Sequence, residues 1–193
     1  NTCKRRLQKD RVRKMITVEI NGEERQYPQG ATYEDVANDY QKEYDNLIAL
    51  AARDGKIREL FKKLTRDCEI TFFTLKDDVG NKTYVRSATM LFLKAVFDVF
   101  GRETVQNCRV EFAIGNGSYI SPKGKINATE ENAAKIRNRM RELVEAKTPF
   151  LKKSYSLDNA MELFRREGMK DKEKLFRYRR GSFVNIYEMD GYY

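Results

Sequence analysis

Residues 84–101 read YVRSATMLFLKAVFDVFG, an apolar run broken after its Arg86-Ser87 start only by Lys94 and Asp98. Such a run predicts a helix buried over most of its circumference. Arg86 and Met90 stand one turn apart, the spacing at which a metal-binding or catalytic helix sets two histidines on one face, yet the chain contains no histidine. Histidine bases and Ser-His-Asp triads are thereby excluded, and a metal site would have to rest on carboxylates or on cysteines without ligand spacing.

Upstream of this helix the pattern is that of a small sheet. In MITVEINGEERQYP, from Met15, the residues Ile16, Val18 and Ile20 alternate with polar positions and Asn21-Gly22 supplies a two-residue hairpin turn. In GATYEDVANDY, Thr32 stands three residues before Asp35, a capping box at the start of a short helix. NLIALAARDGKIREL predicts two strands around Asp54-Gly55, and EITFFTL, residues 69–75, a buried strand. The polar stretch KDDVGNK, residues 76–82, reads as a linker into a second unit.

Downstream, RVEFAIGNGSYI, residues 109–120, predicts two strands and a glycine turn. Thr129 then caps a helix whose Ala133, Ile136, Met140, Leu143 and Val144 form one apolar stripe. A strand FLKKSYS, a helix LDNAMELFRREG closed by Gly168, and a strand GSFVNIYEM follow. The expected fold class is α+β, with helices on an antiparallel sheet in the second unit.

Charge and cysteines bound the function. The formal charge is +9, but residues 1–14, NTCKRRLQKDRVRK, hold seven basic residues and one acid; +9 less this +6 leaves +3 for the other 179 residues. That basic leader reads either as a disordered tail able to touch polyanions or as sequence upstream of a start at Met15. Cys3, Cys68 and Cys108 are odd in number and widely spaced, which points to reduced thiols in a cytoplasmic protein. No apolar stretch is long enough to span a bilayer.

Two motifs compete with plainer readings. The glycine cluster GNGSYISPKGK, residues 115–125, fails as a phosphate loop: the position of the first glycine is Tyr119, and Ile126 follows Lys125. KLFRYRRGSF, residues 174–183, reads first as an edge strand with charged and aromatic faces, and second as an RNA contact through phosphates and stacking.

The order of these segments resembles a known arrangement. The hairpin, ATYEDVA and EITFFTLKDDVG, within residues 15–76, resemble the TGS domain of threonyl-tRNA synthetases, a ubiquitin-like β-grasp. Residues 77–193 resemble the editing domain of the same enzymes, shared with alanyl-tRNA synthetases. That family opens its helix with His-Ser-x-x-His-Leu-Leu-x-x-Ala-Val; the frame here is Arg86-Ser87-Ala88-Thr89-Met90-Leu91-Phe92-Leu93-Lys94-Ala95-Val96. AIGNGSYI is similar to a shortened form of two further strands of that domain. In YRRGSFVNIYEMDG, the family's aspartate, cysteine and histidine positions hold Asn185, Tyr187 and Gly191.

The frame is kept and the polar signature is lost. Arg86, Met90, Tyr187 and Gly191 supply neither an imidazole nor a thiolate for hydrolysing an aminoacyl ester. A TGS domain joined to such a degenerate editing-like domain also resembles the N-terminal half of a bacterial family that continues into a uridine-kinase-like P-loop kinase. The resemblance implies a non-catalytic accessory region with no cofactor of its own, its partner a C-terminal kinase domain using ATP and Mg²⁺. A vestigial pocket would be lined by Arg86, Met90, Asn185, Tyr187 and Gly191, where Arg86 could pair with a carboxylate or phosphate of a nucleotide or RNA ligand. The alternatives are the N-terminal TGS and editing region of a threonyl-tRNA synthetase, and an RNA-binding module.

Overall fold

The computed structural model describes residues 15–106, 108–115, 117–122 and 126–193. The basic leader, Cys3 and the Gly124-Lys125 end of the glycine cluster lie outside the described residues. The fold is α+β, and the chain divides into two compact units, Asn1–Ser87 and Ala88–Tyr193.

In the first unit the local signals act as read. Strands β1 (Met15–Ile20) and β2 (Glu23–Pro28) form an antiparallel hairpin across Asn21 and Gly22, both at positive φ. Ile16, Val18 and Ile20 of β1 point into the core, so the alternation in sequence is the alternation in burial. Helix α1 (Tyr33–Tyr40) starts on a complete capping box: the Asp35 N–H donates to Thr32 Oγ1 at 3.1 Å and the Thr32 N–H donates to Asp35 Oδ2 at 2.7 Å. The Thr32 N–H, and after it the Thr32 hydroxyl, which donates to the same Asp35 oxygen at 2.8 Å, hold the Asp35 carboxyl below its ordinary value.

Strands β3 (Ile48–Arg53), β4 (Lys56–Arg58) and β5 (Cys68–Thr74) complete a five-stranded sheet ordered β2-β1-β5-β3-β4. The β1–β5 pair is parallel and the others antiparallel, the β-grasp arrangement anticipated above. The sheet packs Ile16, Val18, Ile20, Ala51 and Ile70 against Tyr33, Val36 and Tyr40 of α1. Burial, then the hydrogen bond it donates to Asp39 at 3.0 Å, pushes the Tyr27 hydroxyl up to about 12.

Residues 76–82 are not a linker throughout. Helix α2 spans Asp78–Phe100, so it begins six residues before the expected Tyr84. The Asn81 N–H donates to the Asp77 carbonyl at 2.8 Å, while Asp77 Oδ2 accepts from the Thr74 N–H and hydroxyl at 2.7 and 2.9 Å. A polar, acidic start favours a helix N-terminus as well as a turn. Gly80 has a tertiary reason: a Cβ there would lie 2.0 Å from the Thr74 carbonyl oxygen.

The second unit holds the rest of α2, helices α3 (Arg102–Gln106), α4 (Glu130–Glu145), α5 (Leu157–Arg166) and α6 (Lys170–Phe176), and four strands. Its strands form two separate antiparallel ribbons: β6 (Arg109–Ile114) with β7 (Gly117–Ser121), and β8 (Leu151–Ser156) with β9 (Phe183–Glu188). Thr129 caps α4 and Ser156 caps α5 through their hydroxyls. Gly168, at positive φ, follows the end of α5, and its N–H donates to the Arg165 carbonyl at 3.1 Å.

Two expectations need correction. Leu143 of α4 is buried and Ile136 and Met140 are partly so, but Ala133 and Val144 are exposed, so the apolar stripe is narrower than read. Helices α3 and α6 were not foreseen. Lys174, Leu175 and Phe176 belong to α6, where the Glu173–Arg177 ion pair at 3.1 Å spans one turn, so KLFRYRRGSF is not an edge strand over its length.

Candidate functional site

The two charges that interrupt the apolar run of α2 become the centre of the second unit. Lys94 and Asp98 lie one turn apart, and Lys94 is 2% exposed. Its Nζ donates to Asp98 Oδ1 at 2.8 Å and to the Asp190 carbonyl at 2.7 Å, and it stands 3.1 Å from Asp190 Oδ2. A buried ammonium has three donors to satisfy, and here each has an oxygen. The second oxygen of Asp98 accepts from Arg139 Nε at 2.8 Å, and Arg139 also donates to Glu142 at 2.8 Å. Glu142 first, then Asp98, raises the Arg139 guanidinium further above its ordinary value.

Asp190 is held by the backbone as well. Met189 and Tyr192 exchange N–H···O=C bonds of 2.8 and 3.0 Å, and Asp190 and Gly191 between them have φ of 44° and 77°. Positive φ at both central positions is the type I′ pattern, which favours the Asp-Gly pair. Gly191 is therefore a turn residue. Below it Met189 packs with Ala95 and Leu143, and Met90 and Met140 line the same cluster. Apolar thioethers and the Lys94 ion-pair network join α2 to the end of β9.

The predicted site residues fall on different elements. Arg86 is an exposed position of α2 in the first unit, and Met90, in the second, is partly buried among the apolar side chains just named. Asn185 and Tyr187 lie on the exposed face of β9, opposite the buried Val184 and Ile186. The Lys152 ammonium lies 5.3 Å from the Tyr187 ring centroid. Two recesses of the second unit, of about 480 and about 490 Å³, are lined by other residues, among them Phe92, Ile120 and Ile136 in the first and Gln106, Met169 and Lys172 in the second.

Among the described residues, Cys108 and Tyr192 of the second unit are not activated as nucleophiles. Burial pushes the Cys108 thiol up, and burial, then Cys108, pushes the Tyr192 hydroxyl up to about 12, so neither ionises near neutrality. No group of three His, Cys, Asp or Glu residues able to hold a metal ion occurs among the described residues. Cys68 and Cys108 are free and half-buried. None of the described helices is long and apolar enough to cross a membrane.

Sequence reasoning passed over Lys94, Asp98 and Asp190. The signals were present: the only two charges inside the apolar run stand at i, i+4, and Asp190-Gly191 is a turn dipeptide.

Comparison with known proteins yields no matching family model. The chain is 28% identical over 177 residues to the threonine–tRNA ligase of Thermotoga maritima, which covers 86% of the chain and 27% of that protein. It is 27% identical over 183 residues to the ligase of Thermotoga neapolitana, covering 90% and 28%, and 28% identical over 155 residues to that of Rhizobium etli, covering 80% and 23%. The chain thus spans about a quarter of the length of the curated relatives it matches, and over most of its own length it is similar to a segment of threonine–tRNA ligases.

Proposed function

We propose that this chain is a threonyl-tRNA synthetase-like N-terminal region, a TGS-like unit followed by an editing-like unit, in which the editing-like unit does not hydrolyse aminoacyl esters. The similarity to threonine–tRNA ligases over most of the chain supports the synthetase-like part. The relatives reported lend no support to a uridine-kinase parent with its ATP and Mg²⁺.

The observation that carries the silent part is the Lys94 ammonium with its three oxygen partners. Ester hydrolysis needs a water held beside a base or a Lewis acid and room for the ester. Where the editing family carries imidazoles, this chain has Arg86, Met90 and Gly191. Met90 packs among apolar side chains and Gly191 serves a turn. The unit then acts as a structural or binding accessory. The test is hydrolysis of a mischarged aminoacyl-tRNA by the purified chain: the ester half-life stays at its buffer value.

A further inference from the structure

The ribbon of β6 and β7 is short of neighbours. All six residues of β6 are exposed, and in none of the other described strands is every residue so. Val110 is 47% exposed, Phe112 57% and Ile114 61%, and Tyr119 on β7 is 48% exposed. The Phe112 and Tyr119 rings stack on one another with centroids 5.2 Å apart. A two-stranded ribbon is marginal in water, and stability takes further strands or packing on a helix. β6 is bonded to β7 alone, so its outer edge presents a row of N–H and C=O groups to which another strand can add.

Other edges of the chain carry guards. β2 has Glu23, Glu24 and Arg25 and ends on Pro28, β4 is three residues long, and β8 sets Lys152 beside Lys153. β6 has one charge of each sign two residues apart, Arg109 and Glu111, and neither is ion-paired among the described residues. The register to β7 passes over Glu111, which has no cross-strand neighbour inside the ribbon. Opposite charges placed in this way complement themselves. When the strand pairs antiparallel with its own copy about Val110, Arg109 of each copy stands opposite Glu111 of the other, on one face and within reach.

We propose that β6 is a dimerisation edge at which two copies of this chain pair antiparallel, Arg109 opposite the partner's Glu111 and Glu111 opposite the partner's Arg109, to give one four-stranded sheet ordered β7-β6-β6-β7. The two-fold axis passes through Val110, and because each copy offers one such edge the assembly closes at two. The outer edge of β7, GSYIS, has no charge to set a register. Few residues pair, so the dimer belongs with the small, weak interfaces. The edge shares no residue with the Lys94 network.

The experiment is sedimentation velocity of the whole chain at low salt, from about 2 to about 200 µM, the range in which a small interface associates. The weight-average mass rises from 22.7 kDa toward twice that value and no further. Arg109→Glu and Glu111→Arg each weaken association roughly 10- to 100-fold, because two attractive pairs become repulsive ones, and the double exchange restores it. Val110→Lys sets two ammonium groups against each other on the axis and leaves a monomer. These positions are exposed, so far-UV circular dichroism is the same for every variant. The proposal is overturned if the chain stays monomeric over the range, if it grows past the dimer, or if the single reversals leave association as it was. A double exchange that fails to restore the dimer, or a dimer that persists in Val110→Lys, overturns it as well.

Discussion

The Lys94 ammonium donates to the Asp190 carbonyl at 2.7 Å, joining the middle of α2 to a turn that lies 96 residues further along the chain. The bond ties the last turn of the second unit to its central helix.

Removing the ammonium should cost more than replacing it. Lys94→Ala leaves Asp98 with Arg139 alone and removes the bonds to Asp190, and is expected to destabilise the second unit by about 3 kcal/mol. Lys94→Met fills the same volume without a charge and should cost less than half as much. Urea unfolding followed by circular dichroism separates the two.

The turn should resist a side chain. Gly191 has φ of 77° with open space around it, so Gly191→Ala meets no neighbour, and its cost, about 1 kcal/mol, is the left-handed backbone alone. Asp190→Gly at the preceding position should be milder for the turn but loses the Oδ2 contact with Lys94. Thermal midpoints of the two variants test the order.

Gly80→Ala is expected to be the costlier glycine change. Its Cβ meets the Thr74 carbonyl at the end of β5, which is backbone and cannot swing aside, and the loss should be at least about 1–3 kcal/mol. The variant should unfold the first unit at lower urea while leaving the β8–β9 ribbon protected in hydrogen exchange.

Alkaline pH should weaken both units over the same window. Tyr27 and Tyr192 are each raised to about 12 in the fold, so between about 10 and 12 the unfolded chain has lost protons that the folded chain keeps. Their contribution is fully present below about 10 and is lost as pH rises through 12. Tyr27→Phe and Tyr192→Phe should each flatten the alkaline fall of one unit's unfolding midpoint. Absorbance of tyrosinate should show two fewer late-titrating groups in the double variant.

What could be read in advance was what local chemistry fixes. The Asn21-Gly22 hairpin, the Thr32–Asp35 box, the Asp54-Gly55 turn and the Thr129 cap each involve residues within three positions of one another, and each stands where the sequence placed it. The start of α2 was missed because Asp77, Asp78 and Gly80 suit a turn equally well, and the hydrogen bonds from Thr74 to Asp77, beside a Gly80 that leaves no room for a Cβ, involve the end of β5. Helix α6 lacks an apolar stripe; its partly buried Phe176 packs against the core from outside. The site was legible only in part. The i, i+4 pair Lys94–Asp98 is visible in sequence, whereas its meeting with Asp190 depends on the whole path of the second unit.

The most direct test of the central claim is hydrolysis of a mischarged aminoacyl-tRNA by the purified chain, followed as acid-precipitable label over time. The account predicts an ester half-life equal to that in buffer, for the chain and for Lys94→Met alike. Accelerated loss of the label that disappears in Lys94→Met would contradict it, because the buried ammonium would then be part of a working site rather than the bond that closes one.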